Sequence, residues 1–157
     1  MLNRFLTYLK YGNSFCGIEH SYNEHNDIIY VSLLKHNKNE LELENNFSSK
    51  SVEEISKKLK KNQHAYLILN NSQVLSKKIN SENKTIQKLV YKAFPNINLD
   101  EFYCEILSES NDHYISICRK DYIDKLIIDY ERNKVFIIGF NDFSSYTFFF
   151  RDFLRAG

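Results

Sequence analysis

The sequence predicts an α/β fold in which a mixed sheet carries helices on its faces. Three observations carry that reading. Residues 14–19, 27–35 and 40–47 are β-rich runs separated only by the polar segments 20–26 and 36–39. Runs with helical and with strand spacing then alternate as far as residue 140, the order of a sheet covered by helices. Finally, 157 residues that are 43% hydrophobic and 15% aromatic hold enough apolar mass for one core. Residues 1–157 are therefore expected to form a single α/β domain, or the first subdomain of something longer.

At the start, Leu2, Phe5, Leu6 and Leu9 recur at helical spacing, but Arg4 and Lys10 bracket too short an apolar run for a signal peptide. The three β-rich runs are best fitted by a sequential antiparallel meander. In the third, Leu41 and Leu43 alternate with Glu40, Glu42 and Glu44, which predicts a strand with one wet face at or near a sheet edge. Ser51 followed by Glu54 is a capping-box signature, and Val52, Ile55 and Leu59 continue it as a helix over 51–61. The run 64–69 suits a strand buried on both faces, and 74–79 is a short strand or an extended connection. Ile86, Leu89, Val90, Ala93 and Phe94 form one stripe of a helix over 81–94 that Pro95 closes. Residues 101–109 and 113–120 flank Ser110-Asn111-Asp112 as a hairpin, ranked ahead of a helix over 100–107. A helix over 121–131 and a core strand over 134–140 follow. The last segment places Phe143, Tyr146, Phe150, Phe153 and Leu154 on one helical face.

Composition excludes more than it assigns. Twenty-one basic and twenty acidic residues leave a net charge of +1, so no global field draws in nucleic acid or an anionic membrane. Nowhere do about 18 apolar residues run without a charge, so no membrane span is expected. Cys16, Cys104 and Cys118 lie in apolar stretches without a C-x-x-C pair and read as buried thiols of a reducing cytoplasm. Four Gly and one Pro beside many Asn predict long elements joined by Asn-rich turns.

A meander followed by alternating helices and strands is the order of a ribonuclease H-like or actin-like half. The segment FCGIEHSYNEHNDIIYVSLLK resembles the first hairpin of actin-like ATPase-fold proteins, and the likeness continues through LVYKAFPNINLDEFYCEILSESNDHYISICRKDYIDKLI. It looks most like the cytoplasmic actin-like proteins of type II secretion and type IV pilus inner-membrane platforms. A complete actin-like protein has two such halves with the nucleotide between them, so the resemblance implies an N-terminal half or a truncated relative. Nucleotide-binding members place an acid, then Gly and small hydroxyl residues, in this hairpin. Here the stretch is Gly17-Ile18-Glu19-His20-Ser21-Tyr22: Glu19 is the candidate acid, and the bulk of His20 and Tyr22 opposes a phosphate-cradling turn. The resemblance implies a scaffold that needs no cofactor, cytoplasmic or held at the inner membrane through secretion or pilus partners. The alternative is an actin-like ATPase whose site a second half or subunit completes.

No constellation identifies a reaction. A ribonuclease H-type nuclease needs converging carboxylates; Glu19 and Glu54 are two, but the fourth-strand position falls on Asn70 or Asn71. His20, Glu24 and His25 read as a polar hairpin turn, not a metal site. His64 and His113 start strands with no local Ser or Asp arrangement. The lysines at 57, 58, 60, 61, 77 and 78 read as a solvated face, because Glu53 and Glu54 share the helix with the first four. The candidate interaction residues are Phe143, Tyr146, Phe148, Phe149, Phe150 and Phe153, more than one face of a terminal helix buries. Plain core and an interaction surface stand side by side for that tail. If Phe148 and Phe149 point outward, a protein partner or a C2 homodimer would cover them.

Overall fold

The computed structural model describes residues 14–23, 26–37 and 40–142. Its strands are β1 (Ser14–Asn23), β2 (Asn26–Asn37), β3 (Glu40–Ser49), β4 (Gln63–Asn70), β5 (Val74–Asn80), β6 (Phe102–Glu109), β7 (Asp112–Arg119) and β8 (Val135–Asp142). Three α-helices, α1 (Val52–Lys58), α2 (Ile86–Ala93) and α3 (Lys120–Arg132), and a 3₁₀ turn at Leu99–Glu101 complete the described elements. Among the described residues they group into two compact units: 14–68 with 127–140, and 69–126 with 141–142. The strands form two sheets, ordered β3-β2-β1-β4-β8 and β5-β7-β6.

In the first unit, β1, β2 and β3 pair antiparallel, with an irregularity between Leu33 and Leu34 where the register slips. Directly paired residues share a face. Cys16, Ile18 and His20 of β1 therefore stand with Leu33, Val31 and Ile29 of β2, and the last two with Phe47 and Ser49 of β3. Both helices of the unit sit on this face. At the β3 end, the hydroxyl of Ser49 donates to the Glu54 carboxylate and Lys58 Nζ lies 5.0 Å above the Phe47 ring, which seats α1. Val52, Ile55 and the capping Leu59 of that helix are buried. At the β1 end, the last turns of α3 bring the fully buried Tyr130 to His20. Ser51 caps α1 by accepting from the Glu54 N–H at 3.2 Å, as the capping-box spacing predicts.

Two strands differ from their sequence reading. In β4, Gln63, Ala65, Leu67 and Leu69 are buried while Tyr66 is exposed, so the run alternates and is not buried on both faces. Phe136 and Ile138 of β8 are likewise exposed, and only Val135 is deeply buried there. Among the described residues, helices lie on one face of this sheet only.

The strand buried on both faces lies in the second unit. Residues 113–118 of β7, between β5 and β6, are all buried, including His113 and Ser116. Their polar atoms are satisfied locally. His113 Nε2 lies 2.9 Å from the Ser81 carbonyl, which only accepts, so that nitrogen carries the hydrogen; Nδ1 lies 2.7 Å from Ser108 Oγ. Ser116 Oγ meets Ser76 Oγ at 2.8 Å across the ladder. On one face, Leu89, Val90, Ala93 and Phe94 of α2 and its cap pack with Ile115 and Ile117. On the other, Asp124 in the first turns of α3 accepts from the Tyr103 hydroxyl at 3.1 Å. Residues 74–80 are a strand, and the hairpin holds over the helical alternative. α2 begins at Ile86, not Ser81, because Asn83 N–H bonds Ser81 Oγ and Thr85 N–H bonds Asn83 Oδ1 in turns that compete with helix.

Candidate interaction surface

Residues 17–22, where a phosphate-cradling turn is sought from sequence, are all strand. Each is in register with a β2 residue, from Gly17 opposite Ser32 to Tyr22 opposite Asp27. Backbone N–H groups committed to a ladder do not converge on a phosphate. Glu19 stands opposite Tyr30 on the face turned away from α1 and α3. His20 is therefore not in a turn. Its Nε2 lies 2.7 Å from the Tyr130 hydroxyl, with the rings edge-on and centroids 5.8 Å apart. Burial pushes this imidazole down to about 4, with the Asp27 carboxylate opposing the shift. His20 is neutral at pH 7, a hydrogen-bonding core residue of β1. Glu24 and His25 lie outside the described residues.

The other candidates disperse. Glu54 is engaged with Ser49, and Asn71 donates to the Tyr122 hydroxyl at 2.9 Å in the second unit. Lysines read as one solvated face have separate occupations. Lys57 pairs with Glu53 at 2.8 Å, Lys77 donates to the Ala93 carbonyl at 2.8 Å and lies over Phe94, and Lys78 meets Asp112 at 3.1 Å. Cys16 and Cys118 are buried, and burial pushes the Cys16 thiol up to about 12. Cys104 departs from expectation: it is exposed, because β6 is an edge strand and leaves one side of that residue uncovered. Phe143, Tyr146, Phe148, Phe149, Phe150 and Phe153 lie outside the described residues.

What sequence reading missed is the face of the five-stranded sheet that no helix among the described residues covers. Tyr30, Tyr66 and Phe136 present aromatic surface there, with the His64 and Phe136 rings tilted and 5.9 Å apart between centroids, and Gly139 lies against the Tyr66 ring. A Cβ at Gly17, in the middle of that face, would meet nothing within 4 Å. The signal was present in HAYLIL, whose polar-tipped His64 and Tyr66 alternate with Ala65 and Leu67.

No protein-family model matches the chain, and no curated protein does. Solved structures do. The cytoplasmic domain of EpsL, an inner-membrane component of the type II secretion system of Vibrio cholerae, is similar over 81% of this chain and 56% of its own, with a TM-score of 0.57 and 8% identity. The PilM–PilN type IV pilus biogenesis complex is similar over 82% of this chain and 47% of the matched chain, with a TM-score of 0.59 and 8% identity. At that identity the likeness is one of fold. This chain spans about half the length of the chains it matches. No helix among the described residues is long and apolar enough to cross a membrane.

Proposed function

We propose that this chain is a non-catalytic, protein-binding module of a bacterial secretion or pilus assembly platform, related to the first half of an actin-like protein. One observation carries the reading: the chain shares its fold with two components of such assemblies. The ladder running through residues 17–22 supports a scaffold over an ATPase, because it removes a phosphate-cradling turn from that stretch. On this reading the protein is cytoplasmic and reaches the inner membrane through its partners. Its ribonuclease H-like meander is the platform's first subdomain. The aromatic tail supplies the contact: Phe143, Tyr146, Phe150 and Phe153 turn inward, and Phe148 and Phe149 meet the partner or a second copy.

Two titrations by calorimetry test this. The probe for the first is the cytoplasmic segment of the inner-membrane assembly protein from the same organism, and the expected result is saturable binding that Phe148→Ser with Phe149→Ser removes. Absence of binding by the parent protein counts against the platform role. In the second, ATP with Mg²⁺ is expected to give no heat. Binding with a dissociation constant of about 1 μM, some −8 kcal/mol, would replace the scaffold by the nucleotide-binding alternative.

A further inference from the structure

At one end of the three-stranded sheet a serine, a histidine and a backbone carbonyl stand in line. The β6–β7 register sets Ser108 directly opposite His113, and the β5–β7 register sets Ile79 on the other side of the histidine, with Ser81 following at once after β5. A hydrogen bond from the Ser81 N–H to the Asn111 carbonyl at 2.8 Å holds that residue beside the hairpin turn. His113 Nε2 donates to the Ser81 carbonyl at 2.9 Å, which leaves Nδ1 a lone pair, and Ser108 Oγ lies 2.7 Å from it. The Ser108 hydroxyl therefore donates to a neutral imidazole. Burial separates the two residues: His113 has no surface in solvent, whereas Ser108 is exposed on an edge strand. Water cannot compete for the nitrogen lone pair, and the oxygen stays accessible to a reagent.

We infer that Ser108 is a covalent-modification site, an activated hydroxyl that takes an acyl group from an ester or thioester with a good leaving group. A nucleophile within hydrogen-bond reach of a base, itself oriented by a third group, is the arrangement that activates a serine. Here the Ser81 carbonyl is the third group. It fixes the tautomer that turns the lone pair toward Oγ, and it accepts a stronger hydrogen bond as the ring takes up charge. In the step, Ser108 Oγ forms a bond to the acyl carbon while the bond from that carbon to the leaving oxygen or sulfur breaks. The hydroxyl proton passes to His113 Nδ1 and from there to the leaving group, so the products are an acyl serine and a free alcohol or thiol. A carbonyl orients the ring as a carboxylate would, but it sets no negative charge beside the imidazolium. One slow acyl transfer per chain is therefore expected, not turnover, and the platform reading is neither needed for it nor changed by it.

The test uses the full chain in a Cys104→Ser background, with p-nitrophenyl acetate as the probe and peptide mass spectrometry as the readout. Ser110 is the internal control, exposed in the turn beyond the last β6–β7 pair. Acetylation of Ser108 is expected to run roughly 100-fold ahead of Ser110, the gain that general-base catalysis brings. About one equivalent of p-nitrophenolate should be released per chain, as in a burst without turnover. The release should vanish in Ser108→Ala and fall to the Ser110 rate in His113→Gln. Equal acetylation of the two serines overturns the proposal, and so does a release that survives Ser108→Ala, which assigns it to another group. Should His113→Gln unfold the chain, Ser108→Cys and Ser110→Cys decide with the histidine in place, since both positions are exposed. The thiol at 108 is expected to react with iodoacetamide about tenfold faster than the thiol at 110, because the imidazole draws its proton. Equal rates refute the activation.

Discussion

His20 turns burial into a pH response. Its folded value is about 4 against 6.5 for a free imidazole, lowered first by desolvation with Asp27 opposing. Between those values the unfolded chain holds a proton that the folded chain refuses. Stability is therefore complete above pH 6.5 and falls as pH drops toward 4, by at most about 3 kcal/mol. Urea unfolding at pH 7 and pH 5 checks it: His20→Phe should lose less stability between the two than the parent does. Equal losses would show that the imidazole is not held neutral. The cysteines form a second residue-scale test. Cys104 is exposed, though partial desolvation raises its thiol against the pull of Lys120, so it should label more slowly than a free thiol. Cys16 and Cys118 should label only on unfolding, and Cys118→Ala should cost about 1–2 kcal/mol through the cavity it leaves. Mass spectrometry after a timed maleimide pulse reads all three sites.

The elements end where the chain accepts a left-handed residue without glycine. Asn62, Asn96, Ser110 and Lys134 have positive φ, at 61°, 71°, 54° and 63°. Asn takes this conformation more readily than other side chains, in keeping with Asn-rich turns in a sequence with four glycines. Lys134 is the strained case. It follows α3, with its N–H bonded to the Glu131 carbonyl at 2.9 Å, in a place where glycine is the usual terminator. Lys134→Gly should raise stability by about 0.5–1 kcal/mol in chemical denaturation, and a loss would show that the side chain has a compensating contact. Ser51→Ala should cost about 1 kcal/mol by orphaning the Glu54 N–H at the start of α1.

At the scale of the molecule, two sheets mean two sets of central strands. β2, β1 and β4 occupy the interior of one sheet, and β7 is the middle of the other. Amide exchange slows with burial and with hydrogen bonding on both edges. The slowest amides should therefore fall in β2, β1, β4 and β7, while the edge strands β3, β8, β5 and β6 exchange earlier. Protection of β6 equal to that of β7 would contradict the three-stranded order. The same topology shows why this fold was partly readable. Local spacing reports one element at a time, so the meander, α1, the 102–119 hairpin and α3 were all legible from period and turn residues. Pairing between distant segments was not. A single sheet was the natural expectation until β5 proved to join β7, 40 residues of sequence separating Ser76 from Ser116.

The sequence by itself determined the α/β class, the element order and the edge position of β3, because each depends on hydrophobic period, turn chemistry or charge within a few residues. Tertiary structure alone decided which apolar strand is covered on both faces. HAYLIL and HYISIC look alike as strings, yet the first leaves Tyr66 in solvent and the second buries His113 through Cys118. It also decided what the polar residues are for. Nothing near His20 in sequence announces Tyr130, which lies 110 residues away and reaches it only because α3 lies on the covered face. A side chain's environment is set by what packs on its face, and that partner is rarely a neighbour along the chain.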